Sequence, residues 1–225
     1  IFIIFYKSKF KIHFTKKKII YFLKINTVQS KYIFLGSLAI TIFLFIDSYY
    51  MARYLNYEAI GIYSLYLGIN GISVIVITIV HKVFVADITS AYNNNRLSEY
   101  RERVTKSINF ILFWIVPLVA GTNIIAVRLI ELISDTKVKY DFQTFLLFSI
   151  FYFLLNIFFY FRQILDIKKM SKLFLYLATI MTVTNIIGMY LIKPTSINTL
   201  IIIKVLTLII ATMTTYFIMS KDIKL

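Results

Sequence analysis

Long apolar stretches alternate with shorter polar connections along almost the whole chain. Six of them approach or exceed the ~20 residues with which an α-helix crosses a ~30 Å hydrocarbon layer. Backbone groups inside lipid find no water, so such stretches have to form helices. The predicted spans cover residues 32–55, 59–82, 107–127, 142–161, 173–192 and 197–219. The pattern therefore predicts an all-α integral membrane protein with a six-helix transmembrane bundle over residues 32–220.

The connections between these spans are mostly short, which favours an up-and-down bundle. Residues 162–172 form a basic turn, and residues 193–196 carry Thr and Ser, which favour the start of a helix. The second span is expected to continue beyond the membrane, and a charged helix over residues 96–106 then leads into the third span.

Composition supports a membrane protein and not a soluble domain. Hydrophobic residues make up 60% of the 225 residues, and the mean hydropathy is +0.80. Soluble domains contain about 45–50% apolar residues. The chain therefore has more apolar residues than the core of a soluble domain requires.

The formal charge of +15 raises the question of a nucleic-acid partner, and the placement of the charges argues against one. On alternate sides of the six spans, nineteen Lys and Arg residues fall on one side and five on the other. The positive-inside rule therefore places both termini in the cytoplasm. We expect a multi-pass protein of a bacterial inner (cytoplasmic) membrane whose first partner is the lipid bilayer.

The two ends of the chain lie outside the predicted bundle. Residues 1–31 interleave lysines with aromatic and aliphatic residues, a pattern typical of an amphipathic cytoplasmic segment that lies on anionic headgroups. Alternatively, residues 1–6 end a preceding transmembrane helix and the rest is a loop. Residues 221–225 are expected to form a cytoplasmic tail.

The inventory of reactive side chains is poor. The chain has no cysteine, two histidines and six glycines, so it predicts no disulfide, no zinc site and no phosphate-binding glycine loop. No nucleophile with a base and no catalytic carboxylate pair is apparent. We therefore expect no enzyme activity, no catalytic residue, no metal and no cofactor.

Two adjoining segments resemble a known family. The segment Ile46–Leu55 places an Asp near the outer end of one helix, and Glu58–Leu65 opens the next helix with Gly-x-Tyr. This pair resembles the polysaccharide (O-antigen type) flippases of the multidrug/oligosaccharidyl-lipid/polysaccharide exporter superfamily. Further matches to the second six-helix lobe of these proteins lie at Arg96–Lys106, at Pro117 with Gly121, and at Asn185 with Leu191–Pro194.

The resemblance implies a transporter lobe that moves undecaprenyl-pyrophosphate-linked oligosaccharide by alternating access, coupled to a gradient of Na⁺ or H⁺. Its relatives have twelve or more spans. The chain starts at Ile1 and supplies six spans. We therefore expect either a missing first lobe, from another chain or a second copy, or a fragment.

Three polar residues inside the spans share one predicted depth below the outer surface. Asp47 lies in the first span, Asn185 in the fifth and Lys204 in the sixth. Ionisable groups in a span are costly, so they are paired, face water or serve function. The coupling-ion candidates are Asp47, Asn185 and the neighbouring Thr184. The alternative is a structural ion pair between Asp47 and Lys204.

Cationic side chains are candidates for contact with the substrate pyrophosphate. Lys204 is the first of these, followed by Lys82 and His81 at the cytoplasmic mouth and Arg53 at the outer mouth. For Lys82 and Arg53 the alternative is snorkelling to headgroups. Pro117, inside the third span, is a hinge candidate or the site of a fixed bend.

Other polar residues of the spans have simpler expected roles. Asn70 and Asn156 are expected to form hydrogen bonds between helices. Tyr residues near span ends are expected to form an interfacial belt, and they include Tyr49, Tyr50, Tyr63 and Tyr140.

Two other functions remain open. The first is a truncated, non-transporting membrane scaffold in a surface-polysaccharide assembly system. The second is a lobe of a cation-coupled drug antiporter, which would need acidic residues deep in its cavity. Asp47 is the acidic residue nearest the middle of a span.

Overall fold

A computed structural model describes the backbone of residues 16–134 and 140–223, and the side chains of residues 27–133 and 140–220 apart from Val76 and Val80. These residues form six α-helices and no strand. Each helix is long and apolar enough to cross a membrane, as the hydropathy pattern predicts. The helices are α1 (Lys16–Tyr54), α2 (Tyr57–Asn93), α3 (Leu97–Ser134), α4 (Phe142–Ile167), α5 (Ser171–Ile192) and α6 (Ile197–Ile223).

Several helices extend beyond the predicted spans. The second half of the predicted basic segment, residues 16–31, belongs to α1 and continues into the first span. Residues 1–15 of that segment, and residues 224–225 of the predicted tail, lie outside the described part. The charged helix expected over residues 96–106 is the first part of α3.

Polar side chains and left-handed residues define the helix ends. Asn56 and Asp141 cap α2 and α4, each with a side-chain oxygen that accepts a backbone N–H of the first turn. Asn95, Lys169 and Lys193 have φ of 56°, 58° and 50°, the left-handed conformation in which helices commonly end. The chain uses non-glycine residues at all three turns.

The most buried helix is α4, which packs against α2, α3, α5 and α6. Its inward face is aromatic, with Phe148, Phe151 and Phe158 at 1% exposure or less. The other extensive contacts join α1 to α5, α2 to α3 and α5 to α6.

The principal partner of α1 is α5 and not its sequence neighbour α2. Small residues permit this approach: a Cβ built on Gly36 would lie 2.5 Å from the Phe174 ring. One turn further along α1, the Ala39 carbonyl accepts a 2.8 Å hydrogen bond from the Thr182 hydroxyl. The packing therefore differs from a bundle in which each helix contacts mainly its neighbours in sequence.

The outside of the bundle is apolar over much of its surface. Phe34, Phe113 and Ile124 expose two thirds or more of their surface. Soluble monomers rarely expose apolar patches on this scale. Together with the six apolar helices, this surface supports a multi-pass membrane protein.

Candidate functional site

The charged centre of the bundle is an ion pair between α1 and α6. Lys204 Nζ lies 2.5 Å from Asp47 Oδ2, and both side chains have 0% exposure. The carboxylate and the amine that the sequence places at one depth are therefore in direct contact.

Tyr63 of α2 joins this pair. Its hydroxyl donates to Asp47 Oδ2 and accepts from Lys204 Nζ at 3.0 Å. Asp47 and Tyr63 lie at equal distances along the chain from Leu55, so the α1–α2 turn brings them to one level. Tyr63 is fully buried and does not belong to an interfacial belt. We call Asp47, Tyr63 and Lys204 the charge cluster.

The Lys204 ammonium is completely coordinated within the bundle. Besides Asp47 and Tyr63, it donates to the Leu44 carbonyl at 3.0 Å, which accounts for its three protons. Nζ also lies 5.1 Å from the Phe43 ring centroid and 5.4 Å from that of Phe151. Ring faces attract cations, and these contacts offset part of the loss of hydration.

The carboxylate is less completely satisfied than the ammonium. Asp47 Oδ1 is buried and has no hydrogen-bond partner among the side chains that are described. A carboxylate oxygen is an acceptor when ionised and can carry a proton when neutral. The charge cluster is therefore a buried ion pair with one unused acceptor atom on its carboxylate.

Asn185 and Thr184 do not join the cluster. Asn185 is fully buried, and neither its amide nitrogen nor its amide oxygen has a hydrogen-bond partner within the described ranges. Thr184 is exposed and lines a groove between α5 and α6 with Thr207 and Thr214. Of the three coupling-ion candidates, Asp47 alone lies in the charge cluster.

A second group of polar residues lines a cleft between α2 and α4. Its inner part has a volume of about 340 Å³, and its lining includes His81, Asn156 and Gln163. Its outer part is lined by Lys82 and again by Gln163. The candidates His81 and Lys82 are therefore neighbours in this α2–α4 cleft, separate from Lys204.

Arg162 and Asp166 provide the charges of the inner cleft. The guanidinium Nε lies 3.8 Å from Asp166 Oδ2. Nη2 of the same guanidinium donates to the Ser37 hydroxyl at 3.1 Å, and Cζ lies 4.6 Å from the Phe174 ring centroid. The cation is therefore held by α1, α4 and α5, and its charge is balanced by Asp166.

Further polar contacts between α2 and α4 lie deeper in the bundle. The Ser149 hydroxyl donates to Asn70 Oδ1 at 2.9 Å, and Asn156 Nδ2 donates to the Ser73 hydroxyl at 3.5 Å. The expected interhelical role of Asn70 and Asn156 is confirmed.

Arg53 and Pro117 lie away from both sites. Arg53 is exposed at the end of α1, with its guanidinium 5.5 Å from the Tyr54 ring centroid. Helix α3 continues through Pro117, whose side chain is exposed. The hinge stays a prediction.

Sequence reasoning missed three residues of these sites: Tyr63, Arg162 and Gln163. For Tyr63, the signal was its position, which is as far after Leu55 in the α1–α2 turn as Asp47 is before it. For Gln163, it was its place seven residues after Asn156, on the same helix face. Arg162 was counted only as a charge of the cytoplasmic turn.

Comparison of the chain with protein-family models, with curated proteins and with solved structures finds no match. Over the described ranges, no three His, Asp or Glu side chains are grouped as metal ligands. The charge cluster and the α2–α4 cleft are therefore the basis for a functional proposal.

Proposed function

We propose that the chain is a six-helix lobe of a transporter that moves undecaprenyl-pyrophosphate-linked oligosaccharide across the bacterial inner membrane. Both termini lie in the cytoplasm, and a second lobe comes from another chain or a second copy. The observation that supports this proposal most is the charge cluster: an ion pair without solvent exposure in a bundle of six apolar helices. Charged groups at such positions are typical of ion and substrate pathways.

The cluster suggests how a proton gradient is used. A proton that binds Asp47 removes the counter-charge of Lys204, and an unpaired ammonium in a low-dielectric interior is strongly unfavourable. Lys204 then has to reach water or another anion. Protonation of Asp47 therefore favours opening of the contact between α1 and α6, and the released Lys204 can contact the substrate pyrophosphate in the opened cavity.

The experiment measures flipping of a fluorescent lipid-linked oligosaccharide in proteoliposomes that contain the full chain, with and without a pH gradient. We expect gradient-dependent flipping by the wild type and its loss in Asp47→Asn, with insertion into the liposomes unchanged. The matched control is Asp87→Asn. Asp87 lies near the end of α2, and its exposed carboxylate is 3.3 Å from Arg103 of α3. Normal flipping by Asp47→Asn would contradict the coupling role, and no flipping by the wild type would contradict transport by this chain alone.

A second candidate function is a non-transporting membrane scaffold. The observation that favours it is the complete coordination of the Lys204 ammonium, which is what a permanent link between α1, α2 and α6 needs. The double substitution Asp47→Asn with Lys204→Met separates the two functions, because it removes both charges together. A scaffold keeps its fold and its partners in this variant, whereas a transporter loses its response to the gradient.

A further inference from the structure

Two buried polar atoms in the inner α2–α4 cleft lack partners. His81 Nδ1 lies 3.1 Å from Gln163 Nε2, and an amide nitrogen can only donate, so Nδ1 accepts and Nε2 carries the ring proton. Neither His81 Nε2 nor Gln163 Oε1 has a hydrogen-bond partner in the described part of the chain. The lining of the cleft therefore contains one unused donor and one unused acceptor, both buried, and a ligand reaches them when these side chains rotate toward the cavity. If the nitrogen and oxygen of the Gln163 amide are exchanged, His81 Nδ1 donates to the amide oxygen. The two unused atoms are then again one donor and one acceptor.

Buried polar groups without partners are uncommon because each costs free energy. His81 is 2% exposed, so bulk water does not satisfy its ring. The volume of about 340 Å³ lies within the range of small-molecule sites. The unused pair therefore points to a ligand that accepts one hydrogen bond and donates another.

The charges of the cleft argue for a neutral ligand. Arg162 is the cation of the inner cleft, and its charge is balanced by the Asp166 carboxylate 3.8 Å away. Asp166 lines the same cavity and would repel a phosphate. The pocket is therefore unsuited to the pyrophosphate role for which His81 was a candidate.

Part of the remaining wall of the pocket is apolar. Val74 on α2 and Phe159 on α4 supply this apolar part, beside the polar side chains of Thr78 and Asn156. A sugar ring presents C–H groups on its faces and hydroxyl groups at its edge, and each hydroxyl both donates and accepts. This combination matches an apolar wall with an adjacent donor and acceptor.

We propose that the inner α2–α4 cleft binds one sugar ring of the substrate. Gln163 Oε1 accepts from one hydroxyl, and His81 Nε2 donates to a neighbouring hydroxyl oxygen. The identity of the natural ligand rests on the proposed function, since a lipid-linked oligosaccharide carries sugar beside its pyrophosphate. The pocket then binds the sugar part of the substrate, while Lys204 remains the candidate for contact with the phosphate groups.

The experiment uses the full chain in lipid nanodiscs without glycoside detergent. Saturation-transfer NMR measures binding of the methyl glycosides of glucose, galactose and N-acetylglucosamine, with methyl phosphate as the anionic probe. We expect saturable binding of at least one glycoside, weakened at least tenfold by Gln163→Leu and by His81→Phe. We expect partial recovery in His81→Gln, which keeps a donor, and no change in the control Thr214→Val, in the groove between α5 and α6.

A measurement on the wild type guards against variants that do not fold. Diethylpyrocarbonate modifies imidazole nitrogen, and it reaches the buried ring of His81 only when the cleft opens. Mass spectrometry separates His81 from His13, the only other histidine in the sequence. We expect the glycoside that binds to slow modification of His81 and not of His13. Absence of saturable glycoside binding, binding that both variants leave unchanged, lack of protection, or methyl phosphate binding that the variants abolish would each overturn the proposal.

These readouts are independent of transport. Glycoside binding without flipping contradicts transport by this chain alone and leaves the sugar pocket. Flipping without glycoside binding contradicts the pocket and leaves the transporter.

Discussion

Single side chains affect the free energy of folding of this protein most where they bury a charge. Asp47 and Lys204 are both without exposure, and each charge is tolerated because the other is present. Isolated ions in a low-dielectric interior cost several kcal/mol, and a well-coordinated pair recovers most of that cost. The pair therefore behaves as one unit, whose two halves cannot be removed separately without penalty.

Removing one member of the pair should destabilise the fold more than removing both. We expect Lys204→Met to lower the free energy of unfolding by about 3–5 kcal/mol, because it strands the Asp47 carboxylate. Adding Asp47→Asn should restore much of this loss. Chemical unfolding in detergent, followed by circular dichroism, measures the four states of the double-mutant cycle.

The matched control for this cycle is the exposed pair Arg128 and Glu131, which are 3.2 Å apart. Exposed pairs contribute about 0–1 kcal/mol, so Glu131→Gln should leave unfolding almost unchanged. A loss in the double variant equal to the sum of the losses in the two single variants would show that the two buried residues are not coupled.

Helices in this bundle meet where small residues allow close approach, and α1 with α5 is the clearest case. Gly36 lies against the buried Phe174 ring, whose face also meets the Arg162 guanidinium. The contact therefore couples the α1–α5 packing to the wall of the α2–α4 cleft. Exposed hydrophobic residues of α3 such as Phe113 and Ile124 face the outside of the bundle.

A methyl group at Gly36 should disrupt this contact. The added Cβ would lie 2.5 Å from the Phe174 ring, and overpacking typically costs about 1–3 kcal/mol. We expect Gly36→Ala to lower the melting temperature measured by circular dichroism.

Gly68→Ala is the control, since nothing lies within 4 Å of its added Cβ. Alanine favours a helix over glycine by about 0.5–1 kcal/mol, so the control should be neutral or slightly stabilising. A Gly36→Ala variant as stable as Gly68→Ala would mean that α1 and α5 do not pack this closely.

We expect the flanking charges to orient the whole bundle in the membrane. Nineteen Lys and Arg residues lie on the side assigned to the cytoplasm, against five on the other. This asymmetry opposes translocation of the basic loops during insertion. The orientation is a property of the complete set of loops and not of any single residue.

The absence of cysteine from the sequence makes the orientation directly measurable. Single substitutions Ser196→Cys, before α6, and Lys172→Cys, at the start of α5, place thiols at opposite ends of α5, and both positions are exposed. With a membrane-impermeant maleimide added to intact cells, we expect Ser196→Cys to be labelled and Lys172→Cys to be protected until the membrane is opened. The reverse pattern would place the termini outside.

Much of the fold was predictable from local sequence. Apolar length decides whether a segment can cross a bilayer, so the six helices and their approximate centres follow from hydropathy alone. The extensions of α2 and α3 were also predicted, whereas the continuous helix from residue 16 into the first span was not, because its lysines are too polar for a hydropathy window to include. The sequence predicted the contact between Asp47 and Lys204 as one of two alternatives, because both residues are costly in lipid and lie at a common depth.

By itself, the sequence determined the class of the protein, its six helices and the charge asymmetry across them, because each depends on the composition of one segment at a time. The tertiary structure alone decided that α1 packs on α5, that Tyr63 completes the charge cluster, and that His81 and Gln163 share a cleft. These depend on which helix faces meet. That choice is made by the sizes of residues such as Gly36 and Phe174 far apart in the chain, which no periodicity within a single helix encodes.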